Sequence, residues 1–366
     1  MAAGGTAGHV VPALAVADAL RADGAEVVFI GGERAESELV PAAGYAFHRL
    51  AVRGIDRRNP LRAVRALGLA ALAVPRARRL LVDLGADAVM GGGGYVAGPV
   101  GLAARGLGLP LVLTEADSHL GITNRLLARG AARVFLAFPI EGRDDERYRV
   151  VGRPIPAGTG RSGRAAARER FAIARERACV LVFGGSLGAR RLNDATLEAF
   201  GFDAPCEVLH ICGRRDHADL ERRLAMLGPA PHYHLHAYVD RFADALAAVD
   251  LVVARSGGSV LEVAAAGLPS ILVPYPHATA DHQTANARHM ERAGAAVLVP
   301  DGELDGARLA REVTPLLADE RRLAEMARAA ARAARPQAAQ DIATELLALA
   351  APSRSPERAG TSTTTR

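Results

Sequence analysis

The sequence predicts an α/β protein of two doubly wound domains facing each other across a cleft, and three observations carry that prediction. An apolar run, a small-residue turn and a helical stretch recur about a dozen times, the pattern of parallel sheets wrapped by helices. A break rich in glycine, proline and arginine, VVGRPIPAGTGRSGR (Val150 to Arg164), divides the pattern in two, as a linker does. Glycine-rich loops follow predicted strands in both halves. In open α/β sheets ligands sit outside the carboxyl ends of the strands, so paired domains imply a cleft.

In the first half, strands are expected at Glu26–Ile30, Tyr45–Leu50, Ala86–Met90, Pro110–Thr114 and Arg133–Phe138, with helices around 11–22, 61–82, 97–106 and 121–130. The second half offers strands at Cys179–Phe183, Val208–Cys212, His234–Val239, Leu251–Ala254, Ser270–Val273 and Ala296–Val299, then helices from Asp305 to Leu349. The expected domains are 1–155 and 156–336, with a last helix at about 337–350 packing back on the first. The tail 352–366 is polar and poor in apolar residues, a composition that predicts disorder. A parallel sheet needs a strand before its first glycine loop, yet only Met1-Ala2-Ala3 precedes Gly4. Either that strand is a stub or the true start lies upstream, and the second is the expectation.

Composition narrows the class. A chain of 366 residues can bury two cores, and its 23% charged content is that of a soluble globular protein. All 45 basic residues are arginine. They are unevenly placed: residues 49–79 hold nine arginines and a single acid, Asp56, which suits an anionic partner. Cys179, Cys206 and Cys212 lack metal-ligand spacing and read as buried reduced thiols. No apolar run approaches the ~18 residues of a membrane span, and no signal peptide opens the chain.

Chemistry concentrates between Arg255 and Asn286. The run DLVVA ends in the loop Arg255-Ser256-Gly257-Gly258-Ser259, a helix opens with Glu262 in its first turn, and a second strand leads to a helix carrying His282, Gln283 and Asn286. Helix N-termini present unpaired N–H groups and the positive dipole end, which suit a diphosphate. Glu262 is placed to bind a sugar diol.

Four other loops matter. GGTAGH (Gly4 to His9) lacks the middle glycine of GxGxxG, so it is a weak dinucleotide signal, but it puts His9 at a helix start as a possible base. MGGGGYVAGP (Met90 to Pro99) runs four glycines together, which need either close backbone approach to a ligand or unusual dihedrals. TEADSHLGITN (Thr114 to Asn124) crowds Glu115, Asp117, His119 and Asn124 after a strand; helix capping accounts for Asp117 or Ser118 and leaves the others for sugar hydroxyls. FGGSLGARRLN (Phe183 to Asn193) could cradle a phosphate with Ser186 and its amides.

Taken in order, GGTAGH, MGGGGYVAGP, GITNRLL after Glu115, FGGSLGARRLN and RSGGSVLEVAAAGLPSILVPYP…DHQTANA resemble the motifs of the MurG glycosyltransferases over roughly residues 4–350. The resemblance implies the GT-B fold and inverting transfer of N-acetylglucosamine from UDP-N-acetylglucosamine to a polyprenyl-diphosphate-linked muramyl-pentapeptide. It implies no metal or other cofactor and no nucleic-acid partner; the enzyme would work at the cytoplasmic face of the cell membrane.

Carried over residue by residue, Ser186, Gly188, Arg255, Ser256, Gly257, Gly258 and Ser259 would face the donor diphosphate, with Thr6 and Gly8 also on the donor. Glu262 would take the ribose, and Gln283 with Asn286 the sugar. Gly93, Gly94, Tyr95, Glu115 and Asn124 would surround the acceptor. His9 would be the base, with Glu115 the alternative. Two departures stand out: Thr114-Glu115-Ala116-Asp117 replaces the family's His-Glu-Gln-Asn, and Gly152-Arg153-Pro154-Ile155-Pro156 replaces Gly-Asn-Pro-Val-Arg.

The basic stretch then gains a use. Leu67, Leu69 and Leu72, flanked by Arg62, Arg65, Arg76, Arg78 and Arg79, suit the surface of an anionic bilayer. The competing reading is a core helix with a solvated edge. His232, His234 and His236 share one strand face without an evident fourth ligand, and surface or cleft-edge placement is expected. Three rival functions remain: transfer to another lipid acceptor such as diacylglycerol, UDP-sugar epimerisation, and a non-catalytic membrane adaptor.

Overall fold

The computed structural model describes residues 1–54, 60–157, 159, 163–185 and 189–350, with backbone alone at 7, 60–63 and 67. The expectation of a disordered tail lies outside the described residues.

The first domain alternates strands β1 (Val28–Gly31), β2 (Ala46–Arg49), β3 (Val89–Gly91), β4 (Leu111–Glu115), β5 (Arg133–Leu136) and β6 (Tyr148–Val150) with helices. The helices are α1 (Ala7–Ala22), α2 (Glu36–Ala42), α3 (Pro60–Asp83), α4 (Gly94–Gly106) and α5 (Ile122–Leu127). Parallel pairs β1-β2 and β3-β4-β5-β6 are stitched together at Ala2, which bridges both Ile30 and Gly91. The opening residues therefore do a strand's work: the Ala2 amide donates to Met90 at 2.7 Å, and the Ile30 amide donates to Met1 at 2.9 Å. In this domain two elements lie outside the sequence expectation. Helix α2 has only seven residues, and β6 occupies residues that the linker reading claimed in part.

The second domain runs α6 (Arg164–Arg170), β7 (Cys179–Phe183), α7 (Arg190–Phe200), β8 (Glu207–Ile211), α8 (His217–Leu227), β9 (Tyr233–His236), α9 (Phe242–Ala248) and β10 (Leu251–Ala254). It continues with α10 (Val260–Ala265), β11 (Ser270–Leu272), α11 (His282–Arg292), β12 (Ala296–Leu298), α12 (Gly306–Ala318), α13 (Glu320–Ala333) and α14 (Ala338–Ala350). Every residue of β7, β8 and β10 is buried, as strands covered by helices on both faces must be. That is why β7 and β10 read as unbroken apolar runs, while β8 keeps Glu207 and His210 within its buried length.

The parallel order β12-β11-β10-β7-β8-β9 reverses direction between β7 and β10. In the first domain the same reversal falls between Ala2 and β3. Ligand crevices form at such switch points because the helices leave to opposite faces there. The connections that leave these four segments begin at Gly4, Gly92, Gly184 and Arg255, and their place at the switch points makes them the candidate site.

The domains are joined by more than the linker. Phe138 packs with Val260, Leu261 and Ala264 of α10 and Met290 of α11 in one apolar cluster. Helix α14 returns to the first domain, where Ile342, Ala343 and Leu346 join Val10, Ala13 and Val16 of α1. Glu345 fixes it there by pairing with Arg133 and Arg149, each at 2.7 Å.

Candidate active site

The first glycine loop enters α1 through Thr6, an exposed N-cap whose side chain bonds no amide of the first turn. His9 lies in that turn, half-buried against Gly93, with Nδ1 3.4 Å from Thr6 Oγ1. Burial lowers the His9 pKa; Arg153 adds to that effect, while Asp117 and Glu36 oppose it. The imidazole is thus held neutral, the form a general base requires.

Gly93 and Gly94 both have positive φ (86° and 77°). A β-carbon at Gly93 would strike the His9 ring, and one at Gly94 would strike the Gly4 carbonyl. The tetraglycine run is therefore explained by two backbones and an imidazole in close approach. Tyr95 follows it, but its hydroxyl donates to Glu36 at 2.7 Å and is occupied within the protein.

Pro12 shapes the cleft from inside α1. Lacking an N–H, it leaves the Gly8 carbonyl without its helical partner, and Arg153 Nη2 donates to that carbonyl at 3.0 Å. Arg153 is 4% exposed, and its Nε stands 3.3 Å from Glu262 Oε1 of α10. Its guanidinium also fills the space a side chain at Gly258 would need. One linker residue thus touches the first loop of one domain and the donor-side loop of the other. In the sequence this arginine stands out only as part of Gly152-Arg153-Pro154-Ile155-Pro156, the departure from Gly-Asn-Pro-Val-Arg. Burial raises the Glu262 pKa, and Arg153 beside it offsets only part of that rise.

Around the loop after β10 the predicted residues divide into two groups. Gly257, Gly258 and Ser259 are half-buried at the cleft, and the Gln283 side chain approaches Gly257 while accepting from the Tyr275 amide at 2.9 Å. Ser256 and Asn286 instead lock loop to helix: Ser256 Oγ donates to the Gln283 carbonyl at 2.8 Å, and Asn286 Nδ2 donates to the Ser256 carbonyl at 3.0 Å. Both are fully buried, which puts Asn286 behind the loop. Arg255 is likewise committed, to Asp301 at 2.6 Å and to the Val273 and Pro274 carbonyls. Ser186 and Gly188 lie outside the described residues.

In the first domain, Glu115 accepts from the amides of Ala116, Asp117 and Gly121 and from Asn124 Nδ2 at 3.0 Å. It lines a narrow pocket with Gly8, Gly92, Thr114 and Arg153. Burial nevertheless raises its pKa. With both oxygens accepting from its own loop, Glu115 organises the turn, which leaves His9 the less committed of the two candidate bases. The capping expectation fails here: α5 is preceded by Gly121, without a side-chain cap. Ser118 instead crosses the cleft to the His282 carbonyl at 3.2 Å, where the His119 and His282 rings stack at 5.3 Å.

Of the strand histidines, His232 is buried and bonded to the Phe200 carbonyl at 2.8 Å, contrary to the surface placement expected for it. His234 pairs with Glu207 at 2.7 Å. Cys179, Cys206 and Cys212 are free and buried. Helix α3 buries Ala66, Ala73, Ala77 and Leu81 and exposes Leu72, Arg65, Arg76, Arg78 and Arg79, with Leu69 half-buried. The side chains of Arg62 and Leu67 lie outside the described residues. Leu102 on α4 and Ile122 and Leu126 on α5 are also exposed, with Leu126 at 71%.

Comparison with known proteins gives one family across nearly the whole chain. The glycosyltransferase family 28 N-terminal domain matches residues 1–136 and its C-terminal domain residues 179–342. A UDP-N-acetylglucosamine–N-acetylmuramyl-(pentapeptide) pyrophosphoryl-undecaprenol N-acetylglucosamine transferase of Salinibacter ruber is 40% identical, covering 96% of each chain. The enzyme of that name from Acidithiobacillus ferrooxidans is 41% identical over 94% of this chain and 95% of its own. The crystal structure of Acinetobacter baumannii MurG superposes with a TM-score of 0.74 at 32% identity, covering 95% of this chain and 98% of that one.

Proposed function

The chain belongs to the MurG family of family 28 glycosyltransferases, and from that membership we infer its reaction and the work of its cleft. It is a hexosyltransferase of GT-B fold that moves N-acetylglucosamine from UDP-N-acetylglucosamine to the lipid-linked muramyl-pentapeptide of peptidoglycan synthesis. The observation that carries the reading is the near-full-length identity to transferases named for that reaction, joined to a cleft whose polar groups suit it. Diacylglycerol transfer, epimerisation and the adaptor role have no comparable support.

In the proposed mechanism the acceptor 4-hydroxyl gives its proton to neutral His9 as its oxygen attacks the anomeric carbon and the bond to UDP breaks. The leaving diphosphate meets the amides of the loop 255–259, with the Arg153 guanidinium packed behind it at Gly258. These fixed dipoles and charge stabilise it without reorganisation. Glu262 binds the ribose diol and Gln283 the sugar hydroxyls. No metal or other cofactor is assigned a part. Ser256 and Asn286 hold the loop's shape rather than touch the donor, as their burial and mutual bonding suggest.

We place the enzyme on the cytoplasmic face of the membrane. The exposed arginines of α3, with Leu72 and the exposed apolar residues of α4 and α5, offer an anionic bilayer both charge and greasy contact. No described helix is long and apolar enough to cross a membrane. The test is direct. The purified protein is incubated with UDP-N-acetylglucosamine and either the muramyl-pentapeptide lipid or diacylglycerol. Free UDP and coupled product are expected with the first alone; product with diacylglycerol only would overturn the acceptor assignment.

A further inference from the structure

Glu36 is a fully buried carboxylate that the mechanism does not use. It begins the short helix after β1, and three donors from three segments converge on it. Gly5 N donates to Oε2 at 2.8 Å, Gly32 N to Oε1 at 3.0 Å and Tyr95 OH to Oε1 at 2.7 Å. The segments are the first glycine loop, the end of β1 and the tetraglycine turn, the same turn that walls His9 at Gly93. The surroundings are closely packed: added β-carbons at Gly4 and Gly31 would run into Glu36, and one at Gly32 into Tyr95. Burial acts to raise the Glu36 pKa, but the bonds from Tyr95, Gly5 and Gly32 outweigh it and hold it below the usual value. The group is therefore an anion, acceptor-only, facing only donors.

We propose that Glu36 is a positioning residue for sugar transfer: by gripping the Gly5 amide and the Tyr95 hydroxyl together, it sets the loop that aims His9 at the acceptor hydroxyl. The inference rests on the reading of His9 as the base. The physical reason is that Gly5 lies at φ 115°, a backbone state with no strong preference of its own, so its hydrogen bond fixes where the loop runs. Replacing the carboxylate by an amide of the same shape turns one acceptor into a donor. Whichever way the amide is flipped, a backbone N–H at Gly5 or Gly32 faces an N–H group, and the loop must shift. A displacement of about 1 Å at a reacting group costs on the order of 100-fold in rate.

The experiment is a cycle of Glu36→Gln, His9→Ala and the double variant in the full chain, with turnover measured across pH and UDP affinity by calorimetry. Glu36→Gln is expected to lower the plateau turnover by about 10- to 100-fold while UDP affinity stays within about two-fold. Loss of the Glu36 charge also moves the acid limb to lower pH, because that charge favours protonated His9. A fall that persists on the plateau is therefore positional. In the His9→Ala background Glu36→Gln should cost little more, since effects exerted through one group do not add.

An unchanged plateau, a loss equally large without His9, or a parallel loss of UDP affinity would each overturn the role of Glu36. Near-normal turnover of His9→Ala would remove the base assignment itself, a distinguishable failure. Should Glu36→Gln not fold, Tyr95→Phe removes one donor and keeps the carboxylate. It should show a smaller plateau loss that likewise vanishes without His9, and its full persistence there would overturn the proposal.

Discussion

Replacing Glu262 by glutamine tests the donor pocket where its energetics are most exposed. The carboxylate sits at the start of α10 with Oε1 3.3 Å from Arg153 Nε, and burial raises its pKa against the pull of that arginine. A ribose diol would donate two hydrogen bonds to it. Bonds to a charged acceptor contribute about 1.5–3 kcal/mol each. Part of that gain is returned, because in the free protein the carboxylate already serves Arg153 and must share itself when the diol arrives. The amide keeps one acceptor oxygen but no charge, and leaves the Arg153 guanidinium without its counter-ion. The net expectation is a loss of about 1.5–3 kcal/mol, roughly 10- to 150-fold in UDP affinity. Calorimetry at pH 8 compares the two proteins. Lowering the pH should then weaken UDP binding to the wild type, because the raised pKa protonates Glu262 early, and should affect the variant less. Affinity of Glu262→Gln within two-fold of wild type at pH 8 would falsify the placement of the ribose on this carboxylate.

Three further outcomes are expected. His9→Ala should lower turnover by about 100- to 10,000-fold with UDP affinity nearly unchanged, and the wild-type acid limb should fall below pH 6.5, the ordinary histidine value that burial lowers here; stopped assays across pH read both. Changing Arg65, Arg76, Arg78 and Arg79 together to glutamine should abolish sedimentation with phosphatidylglycerol vesicles, at about 1 kcal/mol per residue, while activity on a detergent-solubilised acceptor persists; undiminished sedimentation would remove the membrane role of α3. His210 is buried between Tyr233 OH at 2.7 Å and Asn193 Oδ1 at 3.1 Å, its pKa lowered to about 3 from 6.5 by burial. The unfolded chain takes up the proton first, so this group's contribution is complete above pH 6.5 and is lost as pH falls towards 3, at about 1.4 kcal/mol per pH unit. Urea melts between pH 7 and 5 should show that slope, and His210→Gln should flatten it.

How far the cleft could be read from the chain depended on what each residue answers to. The glycine loops were legible because they mark strand ends at switch points, where topology permits few alternatives. Strands β7 and β10 were read with their correct limits, since burial on both faces leaves a run with no polar interruption. Helix α2 escaped because seven residues with Pro41 near the end carry too little periodicity to register. With it went Glu36, whose only trace is an acid shortly after the Gly31-Gly32 pair. Asn286 was misplaced for a different reason. A polar residue one turn past Gln283 could face either the cleft or the loop behind it, and the bond to the Ser256 carbonyl decides for the loop.

Arg153 is the strongest case of information that no local pattern holds. Its partner Gly8 lies 145 residues away and became available only because Pro12 removes a helical donor, while its other partner, Glu262, belongs to the opposite domain. The sequence shows each of the three features separately: a proline early in a helix, an arginine moved within the linker and an acid after a glycine loop. Only the fold shows that they meet, and the meeting gives the linker a function beyond joining the lobes. A single charge that reaches the Gly8 carbonyl and the Glu262 carboxylate at once ties the two lobes together electrostatically across the cleft.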